Sequence, residues 1–388
     1  MSCRGTRMAR AFARIICFAV LGVALASPAA ARELTTDQGA FIDMPSGFLG
    51  GEGDGKTSFS YLSPDKVVEF DILVFEQGRF SSAENMAAEL LRKIGSDGDS
   101  TSFQYQGRGA VIADTSFLLN EAQRKGYALF IFGKSGSSYA LEASAESSQF
   151  SSCSELIISC LDAFSIDRAA RRTPGPVSQF LLSWPVERST TKSVTFPSGT
   201  VEVPWSAEET EQELSIVERE YRILTTYVNS QTLWKDAWAR FYRMVYRESA
   251  ARLDSFTEAF SRSLTPGDPT ETARRVLAWV QGFTYERNSF GIDLVPPLTA
   301  AFERRGDCDS RAIVMAIILE RLGIDAVLML SREYSHAMLA VDVPGGGQRF
   351  PFNDKEYLVA ETTAKVGIGK IDASQADWSK WLGVDLGE

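Results

Sequence analysis

Histidine is scarce in this chain, and basic side chains are fewer than acidic ones. Its 388 residues include one histidine, His336, and 40 lysines and arginines against 50 aspartates and glutamates, which gives a formal net charge of -10. A zinc site built from several histidines is therefore excluded, and any imidazole chemistry must take place at His336. Nucleic acid is not an expected partner, because phosphate backbones are bound by clusters of Lys and Arg.

Long apolar runs are also lacking. The segment from Ile15 to Ala26 is apolar, but it falls short of the roughly 20 residues that a membrane-spanning helix needs. It follows several arginines and precedes the small residues 27–31, an order typical of a secretory signal peptide. We therefore expect a signal peptide over 1–31 with cleavage after Ala31, a periplasmic or secreted protein, and no transmembrane helix once the signal is removed.

Cysteine is sparse as well. Loss of the signal would remove Cys3 and Cys17 and leave Cys153, Cys160 and Cys308. If Cys153 lies in the serine-rich stretch ahead of a helix, a bridge to Cys160 is feasible, and an oxidising compartment favours it. If one continuous helix holds both, their sulfurs are about 10 Å apart and no bridge can form. We expect the disulfide, with two separate thiols as the alternative, whereas Cys308 stays unpaired and is a candidate reactive thiol.

The pattern of apolar residues predicts an α+β protein built from several regions. Residues 38–168 alternate β-type runs with helical stretches such as 81–94, which predicts an N-terminal α/β sandwich-type domain whose order of elements resembles the PsbP/Mog1-like fold. Residues 169–205 contain the prolines and glycines of a linker, with a hairpin near Gly199. Residues 206–264 form a helical segment that is expected to pack on a C-terminal α+β domain at 266–388.

Within the helical segment, apolar residues recur at spacings of three and four. This pattern predicts a helix that buries one face containing Leu214, Val217, Tyr221, Leu224 and Val228. Such a stripe is typical of a helix packed on a protein core, and a partner-binding groove is the alternative.

A glycine-rich stretch at 50–57 matches the phosphate-binding pattern of glycine, four residues, glycine, lysine and threonine. A phosphate loop must open a helix, but the alternating run that starts at Ser58 predicts a strand. Glu52 and Asp54 would also repel a triphosphate. We therefore interpret the stretch as a β-turn, with no nucleotide cofactor.

The C-terminal third contains a cysteine at the start of a helix. Gly306, Asp307, Cys308 and Asp309 precede an apolar helical run that ends at Gly323. Backbone dipoles at a helix start favour the thiolate, so we expect Cys308 to be nucleophilic.

A nucleophilic thiolate also needs a proton acceptor and a group that orients it. His336, at the start of a β-type run, must be that acceptor. Glu361 is the best third residue, because a charge at the end of an apolar run is costly unless it is paired. Asp354, in a polar turn, is the second candidate.

These motifs together resemble the transglutaminase-like superfamily, whose papain-related fold occurs in bacterial cysteine peptidases. The resemblance covers about residues 270–372 and includes the string at 306–309, the step at 323–326, the strand that begins at 335–337 and the residues 361–363. It implies Cys308 as nucleophile, His336 as base and Glu361 as the acidic third residue. The family usually has Asp followed by Pro-Thr where this chain has Glu361 followed by two threonines.

The resemblance extends to Trp279, Val280 and Gln281, which are similar to a segment of some bacterial members. By analogy with papain-like sites, it implies that Gln281 helps the backbone N–H of Cys308 to hold an oxyanion. A surface glutamine without a catalytic role is the alternative.

The function expected from these observations is that of an exported cysteine peptidase or amidase. Its substrate would be a protein or peptide, and it would need no metal or other cofactor. A transglutaminase, which transfers the acyl group to an amine, shares the same residues; we favour hydrolysis because no water-excluding amine site is evident. The alternatives are a non-catalytic periplasmic adaptor or assembly protein whose N-terminal domain binds a partner, and an enzyme inhibited by that domain.

Overall fold

The computed structural model describes residues 33–182, 184–263, 267–287 and 292–386. The predicted signal peptide, with Cys3 and Cys17, lies outside the described residues. The described chain forms two compact units: the first extends to Ala170 and also includes 175–184, and the second comprises 171–174 and the residues from Pro185 onward. No helix in the described parts of the chain has the length and apolar character needed to cross a membrane.

The first unit contains a large antiparallel sheet with helices. Its elements are β1 (Glu33–Thr35), β2 (Phe41–Asp43), β3 (Leu49–Gly50), β4 (Ser58–Leu62), β5 (Glu69–Phe75), α1 (Ala83–Ile94), β6 (Ser100–Tyr105), β7 (Arg108–Leu119), β8 (Ala122–Ile131), β9 (Ser138–Glu146), α2 (Phe150–Asp162), β10 (Phe164–Ser165) and α3 (Pro176–Leu181). The main sheet has the order β3-β4-β5-β9-β8-β7-β6, and β1, β2 and β10 form a smaller sheet.

Helix α1 forms where the apolar spacing predicts a helix. The side chain of Ser82 accepts a hydrogen bond from the Asn85 amide at its start, and Gly95 ends it in the left-handed conformation with a φ of 72°. Met86, Leu90 and Ile94, one helical turn apart, are buried in a cluster with residues of the sheet. The helix predicted over 81–94 is confirmed.

The glycine-rich stretch at 50–57 is a turn between β3 and β4, as predicted. One oxygen of Asp54 accepts hydrogen bonds from the backbone amides of Lys56, Thr57 and Ser58, at 2.7 to 2.8 Å. These hydrogen bonds lower the pKa of Asp54, although burial opposes them. The carboxylate therefore takes the amide hydrogens that a phosphate would need.

The predicted disulfide between Cys153 and Cys160 is wrong. Helix α2 begins at Phe150, ahead of Cys153, and holds both cysteines in one continuous helix. Their spacing of about two turns separates the sulfurs by ~10 Å, beyond the reach of a disulfide. The sulfur of Cys153 instead donates to the carbonyl of Gln149 at 3.3 Å.

The second unit combines helices with a five-stranded sheet. Its elements are β11 (Thr190–Phe196), β12 (Gly199–Trp205), α4 (Ala207–Tyr227), α5 (Trp234–Ser249), α6 (Asp254–Ser263), α7 (Pro269–Val280), α8 (Pro297–Glu303), α9 (Cys308–Arg321), β13 (Ala326–Ser331), β14 (His336–Val341), β15 (Arg349–Phe352), β16 (Lys355–Ala360) and β17 (Leu382–Asp385). The sheet is antiparallel with the order β15-β16-β14-β13-β17. Helices and antiparallel strands in both units confirm the predicted α+β class.

The segment 169–205, predicted as a linker, contains structured elements. Helix α3 lies in it, and β11 and β12 pair as the hairpin expected near Gly199. The hairpin belongs to the second unit: Phe196 stacks on Trp279 of α7 with ring centroids 5.4 Å apart, and the Trp279 indole donates to the Thr195 carbonyl.

The buried face of α4 differs from the predicted stripe. Val217 and Leu224 are buried, but Leu214 is 38% exposed and Val228 is also exposed. The buried positions include Glu213, whose carboxylate accepts the Leu298 amide at the start of α8. A hydrogen-bonded acid is thus part of the buried face, which the predicted stripe of apolar residues did not include.

Candidate functional site

Cys308 is the first residue of α9. The carboxylate of Asp307 caps this helix and accepts hydrogen bonds from the amide and hydroxyl of Ser310, at 2.9 and 2.7 Å. Gly306 has a φ of 149°, and a Cβ there would lie 2.5 Å from the Ser310 Cβ, so only glycine fits ahead of the cap. The local sequence therefore places Cys308 at a tightly defined helix start.

The thiol of Cys308 is not activated in this arrangement. Its residue is only 3% exposed, and its Sγ donates to Oδ1 of Asp309 at 3.4 Å. Burial raises the pKa of the thiol well above its ordinary value, and the charges of Asp309 and Asp307 raise it further, against a smaller opposing effect of the Ala337 amide. Burial and the two acids therefore act against the thiolate that the helix start is expected to favour.

His336 begins β14, the strand against which α9 packs. Its Nε2 lies 2.7 Å from Oε2 of Glu361, which directly follows β16, the neighbour of β14 in the sheet. Because an ionised carboxylate can only accept, Nε2 carries the hydrogen and Nδ1 is left as the acceptor. The next residue, Ala337, has its amide beside the Cys308 sulfur.

Glu361 is a buried acid with several hydrogen-bond donors. Besides His336, its other oxygen accepts from the amide and hydroxyl of Thr363, at 2.6 and 2.5 Å, and from the Ala364 amide at 3.3 Å. Burial alone would raise the pKa of Glu361, but the hydrogen bond and charge of His336 and the bonds from Thr363 lower it to about 2. Glu361 is therefore ionised and fixed in orientation at neutral pH.

Gln281 directly follows α7 and contacts the loop after β16, but both hydrogens of its side-chain amide are already engaged. Its Nε2 donates to the backbone carbonyls of Glu361 and Val366, at 2.8 and 2.9 Å. An amide nitrogen has two hydrogens, so none is left for an oxyanion. The oxyanion role predicted for Gln281 is thus replaced by a structural one, in which the side chain holds the loop after β16.

Asp354 is not brought to His336. It lies in the exposed turn between β15 and β16, with a φ of 63°. The whole of β16 separates it from Glu361, so Glu361 is the carboxylate that meets the imidazole.

Arg311 is a site residue that sequence reasoning missed. It is buried and donates to the backbone carbonyls of Gly306, Thr362 and Phe283, at 3.2, 3.4 and 2.8 Å. The guanidinium thereby ties the loop before Cys308 to the loop after Glu361. The sequence could have indicated Arg311, because it is an arginine within an otherwise apolar helix and a buried charge needs hydrogen-bond partners.

Tyr242 is the second missed residue. Its hydroxyl, on α5, donates to Oδ2 of Asp309 at 2.5 Å. Burial and the charges of Asp309 and Asp307 raise the pKa of Tyr242 well above its ordinary value. Nothing in the aromatic spacing of α5 distinguishes Tyr242 from a core residue.

A cleft of about 670 Å³ opens beside the imidazole. Its lining includes His336, Glu361, Thr363, Gln348 and Lys370. Cleft volumes of roughly 300–1,000 Å³ accommodate small ligands or a segment of a larger substrate. The cleft therefore opens the His336 side of the site to solvent.

One trio of thiol and carboxylate groups among the described residues has its ligand atoms within 4.8 Å of one another: Asp307, Cys308 and Asp309. Hydrogen bonds from Ser310, Tyr242 and Cys308 itself already engage Asp307 Oδ1 and both oxygens of Asp309. These three side chains belong to a hydrogen-bonded network, and we assign no ion to them.

The model of the transglutaminase-like superfamily matches residues 258–352. This match confirms the family resemblance predicted for about 270–372; it contains Cys308 and His336 and ends before Glu361. No curated protein matches the chain.

Two solved structures show weak similarity. The solution structure of cyanobacterial PsbP (CyanoP) from Synechocystis sp. is 10% identical and covers 38% of this chain and 98% of its own, with a TM-score of 0.30. A crystal structure from Bacteroides thetaiotaomicron is 13% identical and covers 58% of this chain and 78% of its own, with a TM-score of 0.27. Scores this low carry no argument, so the PsbP/Mog1-like order of elements stays a prediction.

Proposed function

We propose that the second unit, which contains the transglutaminase-like match at 258–352, is a thiol-dependent acyl-transfer enzyme acting on protein or peptide amides. Cys308 is the nucleophile, His336 the acid–base group and Glu361 the acid that orients it. The observation that carries the proposal is the 2.7 Å hydrogen bond between the single imidazole of the chain and a buried, ionised carboxylate. It leaves Nδ1 of His336 as the acceptor, on the strand that packs against the start of α9.

The proposed reaction begins with transfer of the Cys308 thiol proton to Nδ1 of His336. The sulfur then attacks the carbonyl carbon, and the oxyanion is held by the Cys308 backbone N–H, which has no acceptor within the first helical turn. Collapse of the tetrahedral intermediate breaks the C–N bond, and the imidazolium gives its proton to the leaving amine. Glu361 keeps the ring oriented and stabilises its positive charge during both transfers.

Hydrolysis is the proposed second half of the reaction. Water enters from the open cleft beside His336, gives a proton to the imidazole and attacks the thioester carbonyl, which releases the acid and restores the thiol. An open cleft favours water over an amine acceptor, because amine transfer requires that water be excluded. A peptidase or amidase in the periplasm or outside the cell is therefore proposed ahead of a transglutaminase.

A non-catalytic adaptor is the second candidate. It is favoured by one specific observation: the Cys308 thiol is nearly fully buried, and its pKa is raised rather than lowered. In that case the same fold would serve as a scaffold for a partner, and Cys308 would be a core thiol.

Alkylation by iodoacetamide separates the two candidates. The rate at each cysteine of the folded protein is measured at neutral pH by peptide mass spectrometry, for the wild type and His336→Ala. We expect Cys308 to react roughly tenfold more slowly in the variant, because the imidazole no longer takes its proton. The partly buried Cys153 of the first unit is the internal control and should not change. Equal rates at Cys308 in both proteins would overturn the enzyme proposal.

A further inference from the structure

Asp309 and Tyr242 lie at the proposed nucleophile but take no part in the acyl-transfer steps above. The Cys308 sulfur donates to one oxygen of Asp309 at 3.4 Å, and the Tyr242 hydroxyl donates to the other at 2.5 Å. The three side chains thus form a continuous hydrogen-bonded chain from α5 to the start of α9. We call Asp309 and Tyr242 the thiol latch.

We propose that the thiol latch holds Cys308 as a hydrogen-bonded thiol, so that the resting site is latent and Asp309 must turn away before His336 can take the proton. Asp309 is the acting group, and Tyr242 is a positioning residue that fixes the carboxylate. The statement that the thiol latch delays catalysis rests on the proposed function. The statement that Cys308 is held as a hydrogen-bonded thiol is independent of it.

The direction of the contact supports the proposal. An ionised carboxylate has no hydrogen to give, so the hydrogen in the bond between Cys308 and Asp309 belongs to the sulfur. A thiol hydrogen that points to Asp309 cannot at the same time point to Nδ1 of His336. Because Tyr242 is buried and engages the second oxygen, the carboxylate cannot rotate without breaking that bond.

The charges around the sulfur act in the same direction. Asp307, which caps α9, and Asp309 in its first turn both disfavour a thiolate, and burial does so most of all. Groups from the other elements also face this region: Tyr242 on α5, Tyr285, Arg287 and Asp293 in the segment between α7 and α8, Arg311 on α9, His336 on β14 and Glu361 after β16. The guanidinium of Arg311 is engaged by three backbone carbonyls, and the exposed Arg287 pairs with Asp293 at 3.1 Å. Both cations interact favourably with the charged form of Cys308, but burial and the two acids have the larger effect on the pKa of the thiol.

Tyr242 comes from a helix that lies outside the family match. Helix α5 ends at Ser249, before the family match begins at residue 258. The group that fixes Asp309 therefore comes from a helix outside the matched region. A movement of α5 would break the bond to Asp309 and free the carboxylate without altering Cys308 or His336.

Asp309→Asn tests the thiol latch by alkylation of Cys308 across the pH range. This variant keeps the size of the side chain but removes the charge and the anionic acceptor. We expect the midpoint of the pH profile to fall and the rate at neutral pH to rise about tenfold, since the thiolate fraction changes tenfold per pH unit of pKa. Tyr242→Phe should accelerate the reaction less, because it frees Asp309 to turn but leaves its charge.

Asp325→Asn is the matched control. Asp325 accepts a hydrogen bond from the Tyr357 hydroxyl at 2.8 Å in the same unit, and its loss should leave the Cys308 profile unchanged. The alkylation rate of the wild type provides a test that does not depend on whether the variants fold. Its Cys308 should react more slowly than free glutathione at the same neutral pH. An unchanged profile in Asp309→Asn, or a wild-type Cys308 more reactive than glutathione, would overturn the latch.

The two proposals fail in distinguishable ways. If His336→Ala has no effect while Asp309→Asn still accelerates alkylation, the proposed function is overturned and the hydrogen-bonded thiol stands. If His336→Ala slows alkylation while Asp309→Asn has no effect, the latch is overturned and the acid–base pair stands.

Discussion

Buried carboxylic acids occur in both units, and Glu361 of the second unit behaves in the opposite way to Asp71 and Glu142 of the first. In the second unit, burial acts against ionisation of Glu361, yet the donors around it lower its pKa to about 2. In the first unit, Asp71 on β5 lies opposite Glu142 on β9. Burial raises the pKa of Asp71 to about 7, with a further contribution from Glu69, and burial together with Asp71 raises the pKa of Glu142 to about 8.

The difference lies in the neighbours, because all three acids are buried. Glu361 receives hydrogen bonds from an imidazole, a hydroxyl and two backbone amides. Glu142 receives longer bonds from two hydroxyl groups, at 3.2 and 3.3 Å, and faces another acid. Burial alone therefore does not determine the charge of an acid. Strong donors keep Glu361 ionised at neutral pH, so that it can orient an imidazole. At Asp71 and Glu142 burial outweighs the weaker donors and the charge of Arg124, so that this pair keeps its protons to a higher pH.

The largest effect expected from a single substitution comes from removing Glu361, the buried acid that has strong hydrogen-bond donors. Glu361→Ala leaves the His336 ring and the Thr363 amide without their acceptor in a buried position, and we expect the unfolding free energy of the second unit to fall by about 3 kcal/mol. Denaturant unfolding followed by tryptophan fluorescence measures this, since Trp378 and Trp381 lie in that unit.

The matched control is Glu361→Gln, which keeps an acceptor oxygen and should lose less stability. The unfolding free energy at acid pH gives an independent check. The lowered pKa of Glu361 stabilises the fold above the ordinary value of 4.5, and this contribution is lost as the pH falls toward 2. If the unfolding free energy falls in the same way with decreasing pH in the wild type and in Glu361→Gln, the ionised state assigned to Glu361 is contradicted.

An effect of the opposite sign, spread over several pH units, is expected in the first unit. Because the folded state raises the pKa values of Asp71 and Glu142, it binds more protons than the unfolded state, from about pH 4.5 upward to about pH 8. Stability should therefore fall as the pH rises through this window, by about 1 kcal/mol per pH unit for each extra proton held. Hydrogen exchange of β5 and β9 amides at several pH values measures it locally. Glu142→Gln should flatten the dependence, and a wild-type profile that rises with pH would show that both acids are ionised.

Local rules predicted much of the site from the sequence. The cap at Asp307, the apolar run of α9 and the strand from His336 follow from patterns within a few residues. The partner of His336 could be inferred because an acid at the end of an apolar strand must find a donor.

Other features depend on contacts between distant parts of the chain, and the spacing of apolar residues does not predict such contacts. The Gln281 amide is held by carbonyls 80 and 85 residues later, and buried Glu213 on α4 bonds to an amide 85 residues later. The disulfide prediction failed for a local reason, since it turned on whether α2 begins before or after Cys153. The state of the Cys308 thiol could not be predicted, because burial and Tyr242 on α5 are results of tertiary packing.

The most direct test of the acid–base pair is nitrogen NMR of the histidine side chain. The chain has a single histidine, so protein labelled with nitrogen-15 histidine gives one imidazole whose two nitrogen shifts report which of them carries the hydrogen. We predict that the neutral ring carries it on Nε2, toward Glu361, and that alkylation of Cys308 shifts the Nδ1 resonance. A neutral ring protonated on Nδ1, or an Nδ1 signal that does not respond to modification of Cys308, would contradict the account.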